Sequence, residues 1–92
     1  MDARVKKAVL EKIGETVSNV GEISEILHSL GHITVESRDD FALGIAIGRI
    51  YNSFHYQTRR ALKRNATEEE FEEFLDILAK KAGEIRNALK QQ

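Results

Sequence analysis

The chain has 92 residues, which is enough for one domain, residues 1–92, with a thin hydrophobic core. It contains no cysteine, so disulfides and thiolate metal sites are excluded, and it contains no proline. Its 14 basic and 15 acidic side chains nearly cancel, although residues 38–65 alone carry six basic and two acidic ones. Because nothing covalent can reinforce so small a core, we expect self-association.

The amino-terminal segment MDARVKKAVLEKIGE carries charges every few residues and lacks the apolar run of a signal peptide. The most apolar stretch, FALGIAIG, has eight residues, against the roughly 20 that a membrane-spanning helix needs. We therefore expect a cytoplasmic protein that is soluble and has no part in the membrane.

Residues 3–30 show the three- and four-residue spacing of apolar side chains that is typical of a helix. Gly31 is expected to end it in a left-handed conformation. Asn19 and Glu22 have the spacing of a capping box, so this helix is either continuous or broken near residues 18–21. The expected buried face consists of Val9, Leu10, Ile13, Thr16, Val17, Val20, Ile23, Leu27 and Leu30.

Two further helices are predicted at about 38–64 and 68–90. Ser37 resembles the cap of the first, and Thr67 with Glu70 forms a capping box for the second. Asn65 is the expected left-handed stop between them. The expected buried residues are Leu43, Ile47, Ile50, Phe54 and Ala61, followed by Phe71, Leu75, Leu78, Ala82, Ile85 and Leu89.

Three apolar stripes on helices joined by short connections predict an all-α fold. The short link at 65–67 makes the last two helices antiparallel neighbours. The sequence therefore predicts an antiparallel three-helix bundle that self-association completes. The segment HITVES, residues 32–37, is too short and too isolated for a stable sheet, and we interpret it as an extended connection.

A second stripe lies beside the expected core face of the middle helix and contains Gly44, Gly48, Tyr51 and His55. Glycine inside a helix costs stability, so bare backbone at two positions four apart indicates a close approach by something else. We predict another helix, from this chain or from a second copy, with a ligand against bare backbone as the alternative.

Arg49 and His55 are separated by five residues, and histidine with arginine could act on a phosphodiester. Over these seven residues the spacing resembles the Arg/His motif of the HEPN-type ribonucleases, which are all-helical and dimeric. Ile50 follows the arginine where that family usually has a polar residue. The resemblance implies a metal-independent ribonuclease, whereas the residues alone favour a partly buried His55 packed on Tyr51.

The middle helix ends in four basic residues, which could bind nucleic acid: Arg59, Arg60, Lys63 and Arg64. The next helix begins with glutamates just across the turn, and mutual neutralisation is the prediction we favour over nucleic-acid binding. The glutamates expected to take part are Glu68, Glu69, Glu72 and Glu73.

Glu22, Glu25 and His28 have spacings found in the carboxylate metal sites of helical bundles. Glu22 and Glu25 point away from the expected core, so such a site could form only between subunits. No phosphate-binding glycine loop or zinc signature occurs, and no cofactor is expected. The leading hypothesis is thus a non-catalytic assembly or adaptor module, a homo-oligomer open to a protein partner, with a nucleic-acid-acting protein as the alternative.

Overall fold

The structure, a computed structural model, describes residues 1–91. It contains four helices: α1 (Ala3–Ser18), α2 (Val20–Ser29), α3 (Arg38–Leu62) and α4 (Glu68–Lys90). Residues 1–91 contain no strand, so the predicted all-α class is confirmed and the segment at 32–37 is a connection. Within the same residues, no helix is both long enough and apolar enough to cross a bilayer.

The first predicted helix is broken at Asn19, which separates α1 from α2. The expected capping box is wrong, because the Asn19 side chain makes no hydrogen bond to the first turn of α2. Its Nδ2 instead donates to the carbonyl oxygen of Glu15 at 2.9 Å, while its backbone N–H donates to the carbonyl oxygen of Thr16 at 3.2 Å. Asn19 therefore closes the end of α1.

The predicted caps of the two long helices are confirmed. The Ser37 hydroxyl accepts a hydrogen bond from the backbone N–H of Asp40 at 3.1 Å. Thr67 and Glu70 form both bonds of a capping box, since each side chain accepts from the other's backbone N–H, at 3.1 and 2.8 Å. These side chains satisfy backbone donors that have no partner inside the helix.

The helix stops differ from the predicted ones. Lys63, with φ of 59°, is left-handed and follows the end of α3 directly. Lys63 is also the only residue in the described chain with a positive φ, so the predictions of left-handed Gly31 and Asn65 are wrong. Since α3 ends at Leu62, the reversal takes place before the chain reaches Asn65.

The core lies between α1, α3 and α4, with α2 packed against α3. Its centre is the pair Phe54 and Phe74, which are fully buried with stacked rings 4.5 Å apart. Two threonines are also buried, and the hydroxyl of each donates to a carbonyl one turn earlier. The buried apolar side chains are Val5, Val9, Ile13, Val20, Ile23, Leu27, Ala42, Ala46, Ile50, Phe54, Phe74 and Ile85.

The predicted buried faces of α3 and α4 are confirmed at Ile50, Phe54 and Ile85, which are completely buried, but they differ from the structure at other positions. On α3 the fully buried positions include Ala42, Ala46 and Thr58, whereas Ile47 is only half-buried. On α4 the centre of the buried face is Phe74, and Leu75, assigned to the core by its spacing, is 43 % exposed. Both helices carry more apolar side chains than one chain covers, and the excess faces outward.

Candidate helix-binding surface

The glycine stripe of α3 lies open on the surface. Gly44 and Gly48 are both exposed, and a Cβ atom built on either would meet no atom within 4 Å apart from those of its chain neighbours and of its own helix backbone. Among residues 1–91, no other helix therefore packs closely against them, so the intrachain form of the predicted contact is wrong. The predicted contact with a second copy of the chain stays a prediction.

Tyr51 and His55 continue the stripe toward the end of α3. Tyr51 is 46 % exposed, and its ring lies 4.8 Å from the His55 ring in an edge-to-face arrangement. His55 is half-buried, 5.0 Å from Phe54 and 6.2 Å from Phe71 between ring centres. The packing of His55 against Tyr51 that their spacing predicts is therefore confirmed. The two rings lie beside the exposed backbone of Gly48 on α3.

The surface extends onto α4 through Leu75. The Phe71 ring is 6.2 Å from the Tyr51 ring, and Leu75 lies one turn beyond Phe71 on the same side of α4. We refer to Gly44, Gly48, Tyr51, His55 and Leu75 together as the α3–α4 face. Leu75 is not predicted as part of this surface from the sequence, because its spacing from Phe71 assigns it to the core face.

Arg49 and His55, the pair behind the ribonuclease hypothesis, lie on different sides of α3. The Arg49 guanidinium lies 3.6 Å from the carboxylate of Glu15 and 3.8 Å from that of Glu22. Arg49 on α3 thus forms ion pairs with both α1 and α2, the helices on either side of Asn19. His55 instead faces α4 through Phe71. Within one chain the two side chains do not converge on a common site.

The basic end of α3 is only partly neutralised. The Arg64 guanidinium binds the Glu70 carboxylate through two contacts, at 2.7 and 3.3 Å. Arg64, together with the Thr67 backbone N–H, lowers the pKa of Glu70 from 4.5 to about 2. Thr67 and Glu70 are joined by the capping box, so this ion pair also fixes the start of α4.

The remaining basic side chains are exposed. Within residues 1–91, no ion pair joins Arg59, Arg60 or Lys63 to an acidic group. The predicted matching of the two charge runs is therefore found at one pair only. That pair uses Glu70, which is none of the expected glutamates: Glu68, Glu69, Glu72 and Glu73.

The side chains of the metal hypothesis are exposed and have separate surroundings. Glu22 is paired with Arg49, whereas Glu25 and His28 line a cleft of about 670 Å³ together with Arg38 and Asp39. In the described part of the chain, no three histidine, aspartate or glutamate side chains are grouped so that they could hold a metal ion. The three predicted ligands are not brought together within one chain.

Comparisons of the chain with protein-family models, with curated protein sequences and with solved structures give no match.

Proposed function

We propose that this protein is a small, non-catalytic assembly module that binds helices through its α3–α4 face. In this proposal α1, α3 and α4 form an antiparallel three-helix bundle whose outward face is covered by self-association. Contacts within the chain support the antiparallel arrangement, because Asp40 at the start of α3 binds Arg86 near the end of α4 at 3.1 Å. Phe54, farther along α3, stacks on Phe74 in the first half of α4.

The observation that carries the proposal is an apolar surface left open beside a closed core. The interior contains well-packed side chains, and no buried side-chain nitrogen or oxygen in the described residues lacks a hydrogen-bond partner. On the α3–α4 face, by contrast, Tyr51 and Leu75 are almost half exposed beside two bare glycines. Exposed apolar patches of this kind mark protein-binding surfaces, and aromatic side chains are frequent at their centres.

The test is the molar mass of the protein by sedimentation equilibrium, with Gly48→Leu as the variant and Gly14→Leu as its control. Gly14 and Gly48 are both exposed, helical and free of neighbours within 4 Å, so leucine at either should improve helix propensity by up to about 1 kcal/mol. We expect the wild type and Gly14→Leu to exceed the single-chain mass of 10.4 kDa, and Gly48→Leu to sediment at that mass while staying helical.

A wild type that sediments as a single chain at millimolar concentration would contradict the proposed self-association. The same holds for a Gly48→Leu variant that is as associated as Gly14→Leu. Circular dichroism of each variant separates loss of association from loss of fold, because only the latter removes the helical signal.

Nucleic-acid binding is the second candidate, and the exposed, unneutralised Arg59, Arg60 and Lys63 favour it. Binding of single-stranded RNA that weakens steeply with salt, and that falls in an Arg60→Glu variant, would support it. The same incubation in EDTA, beside His55→Ala, tests for metal-independent cleavage. RNA that stays intact and unbound at low salt would remove both the binding hypothesis and the ribonuclease hypothesis.

A further inference from the structure

The residues on the outward stripe of α3 are spaced so that two antiparallel copies of the helix would place complementary residues opposite each other. Its members are Asp40, Gly44, Gly48, Tyr51, His55 and Arg59, with successive spacings of 4, 4, 3, 4 and 4 residues. The spacings read the same in both directions. The first three positions offer a carboxylate and two stretches of bare backbone, and the last three offer two rings and a guanidinium.

We propose that the partner on the α3–α4 face is a second copy of this chain, with its α3 antiparallel to the first about a two-fold axis between Gly48 and Tyr51. This inference rests on the self-association proposed above and specifies its register. In such a pair Tyr51 of each copy lies over Gly48 of the other, and His55 lies over Gly44. A symmetric interface of this type repeats every contact twice, because residue i meets residue j and j meets i.

The space for these contacts is present in the single chain. A side-chain carbon at Gly44 or Gly48 would meet no atom of another helix within 4 Å, so a ring from a second helix can approach the backbone at each glycine. Tyr51 is 46 % exposed and lies one turn away from Gly48. A rigid aromatic side chain with an apolar body and a polar tip is well suited to such a position.

Charge complementarity selects the antiparallel orientation. Asp40 and Arg59 lie at opposite ends of the stripe, so antiparallel copies bring each carboxylate opposite a guanidinium, whereas parallel copies would bring like charges together. The Asp40 side chain is 67 % exposed, and its Oδ1 atom already binds Arg86. The Oδ2 atom can therefore accept Arg59 of the second copy without breaking that bond.

Leu75 lies within about one helical turn of the proposed axis, because Phe54 packs on Phe74 and Asp40 binds Arg86. Its neighbour Phe74 has its ring 6.5 Å from that of Tyr51, and Tyr51 is next to the axis. In the proposed pair an exposed leucine thus lies near the middle of the contact, with Asp40 and Arg59 at its edges. An apolar centre with a charged rim is the usual arrangement of a protein interface.

Disulfide trapping tests the register, because the native chain has no cysteine. A Gly44→Cys variant mixed with a His55→Cys variant should give the mixed disulfide on mild oxidation. Gly44→Cys alone should not crosslink, because its two copies would lie about 16 Å apart along the helices, far beyond the reach of a disulfide. Mass spectrometry distinguishes the mixed from the symmetric product, and Gly14→Cys with His55→Cys is the control.

Each outcome of the trapping decides a separate point. Rapid formation of the mixed product supports the antiparallel register. Rapid formation of the Gly44→Cys symmetric product would show parallel pairing and overturn it. Neither product, with a wild type heavier than one chain, would overturn the register while leaving the proposed assembly function intact. A wild type of single-chain mass would overturn both.

A matched pair of charge reversals tests the rim independently. Arg59→Glu should weaken self-association about tenfold, since it places like charges opposite each other at both ends of the interface. Arg60→Glu changes the net charge equally but lies 100° around the helix, away from the stripe, so it should leave self-association unchanged. Equal effects of the two variants would overturn the proposed contact between Arg59 and Asp40.

Discussion

On the inward face of α3, Ile50 and Phe54 are completely buried by α1 and α4, whereas on the outward face Gly48 is exposed and Tyr51 is nearly half exposed. Both faces lack charge over the middle of the helix. The inward face is covered by the chain itself, whereas the residues that the structure describes leave the outward face open. The difference teaches that the apolar periodicity of a helix does not by itself show which of its faces the chain buries.

The largest expected effect comes from removing a ring on the inward face. Phe54→Ala should lower the free energy of unfolding by about 3–5 kcal/mol, because Phe54 is fully buried and stacked on Phe74. Tyr51→Ala, the outward control, should cost less than about 1 kcal/mol in a dilute sample. Urea unfolding of both variants checks this. Equal losses would show that the two faces do not differ as described.

The corresponding comparison on α4 uses two leucines three residues apart. Leu78 packs against the core and Leu75 does not, so Leu78→Lys should cost about 2–3 kcal/mol and Leu75→Lys less than about 0.5 kcal/mol. Leu75→Lys should instead weaken self-association. Thermal melting measures the loss of stability, and sedimentation measures the loss of self-association. A Leu75→Lys variant that unfolds as readily as Leu78→Lys would place Leu75 inside the core.

The smallest expected effect concerns the turn that holds α4 against the inward face of α3. The Glu70 pKa is lowered from 4.5 to about 2 by Arg64 and by the Thr67 backbone, so the folded state favours the ionised carboxylate. That contribution is complete above pH 4.5 and is lost as the pH falls toward 2. Because the ion pair lies at the surface, we expect it to be worth about 1 kcal/mol or less.

Acid unfolding of wild type beside Glu70→Gln measures this contribution. The variant cannot ionise at this position, so its stability should fall less steeply between pH 4.5 and pH 2. Identical slopes for the two proteins would show that the Arg64–Glu70 pair does not stabilise the turn.

The sequence predicted the parts of the fold that depend on local chemistry. Ser37 and the Thr67–Glu70 box have side chains whose hydrogen bonds reach only three residues along the chain, so their spacing was sufficient. The predicted cap at Asn19 is wrong because the Asn19 side chain donates to the carbonyl oxygen of Glu15 at the end of α1 instead of capping α2. Both bonds would reach only a few residues along the chain, so the spacing does not distinguish them. The sequence therefore indicates a possible break near residues 18–21, but it does not predict the hydrogen bond from Asn19 to Glu15.

Features that depend on the rotation of one helix against another could not be predicted. Leu75 lies on a regular stripe with Phe71, and the spacing alone does not show that Phe71 packs against the core while Leu75 is exposed. The same rotation decides which charges meet, so Arg64 pairs with Glu70 while Arg59 remains exposed. For the α3–α4 face, the glycine spacing predicted the position, and the structure adds that Gly44, Gly48, Tyr51 and Leu75 are exposed among residues 1–91.

The most direct test of the central claim measures whether the outward face of α3 is covered in solution. A soluble paramagnetic chelate broadens the amide NMR signals of exposed groups, and at high protein concentration Gly14 serves as the internal reference for an exposed helical glycine. We expect Gly44 and Gly48 to be shielded relative to Gly14 in concentrated wild type, and to lose that shielding when the Arg59→Glu variant is diluted. Broadening of Gly44 and Gly48 as strong as that of Gly14 in concentrated wild type would contradict it.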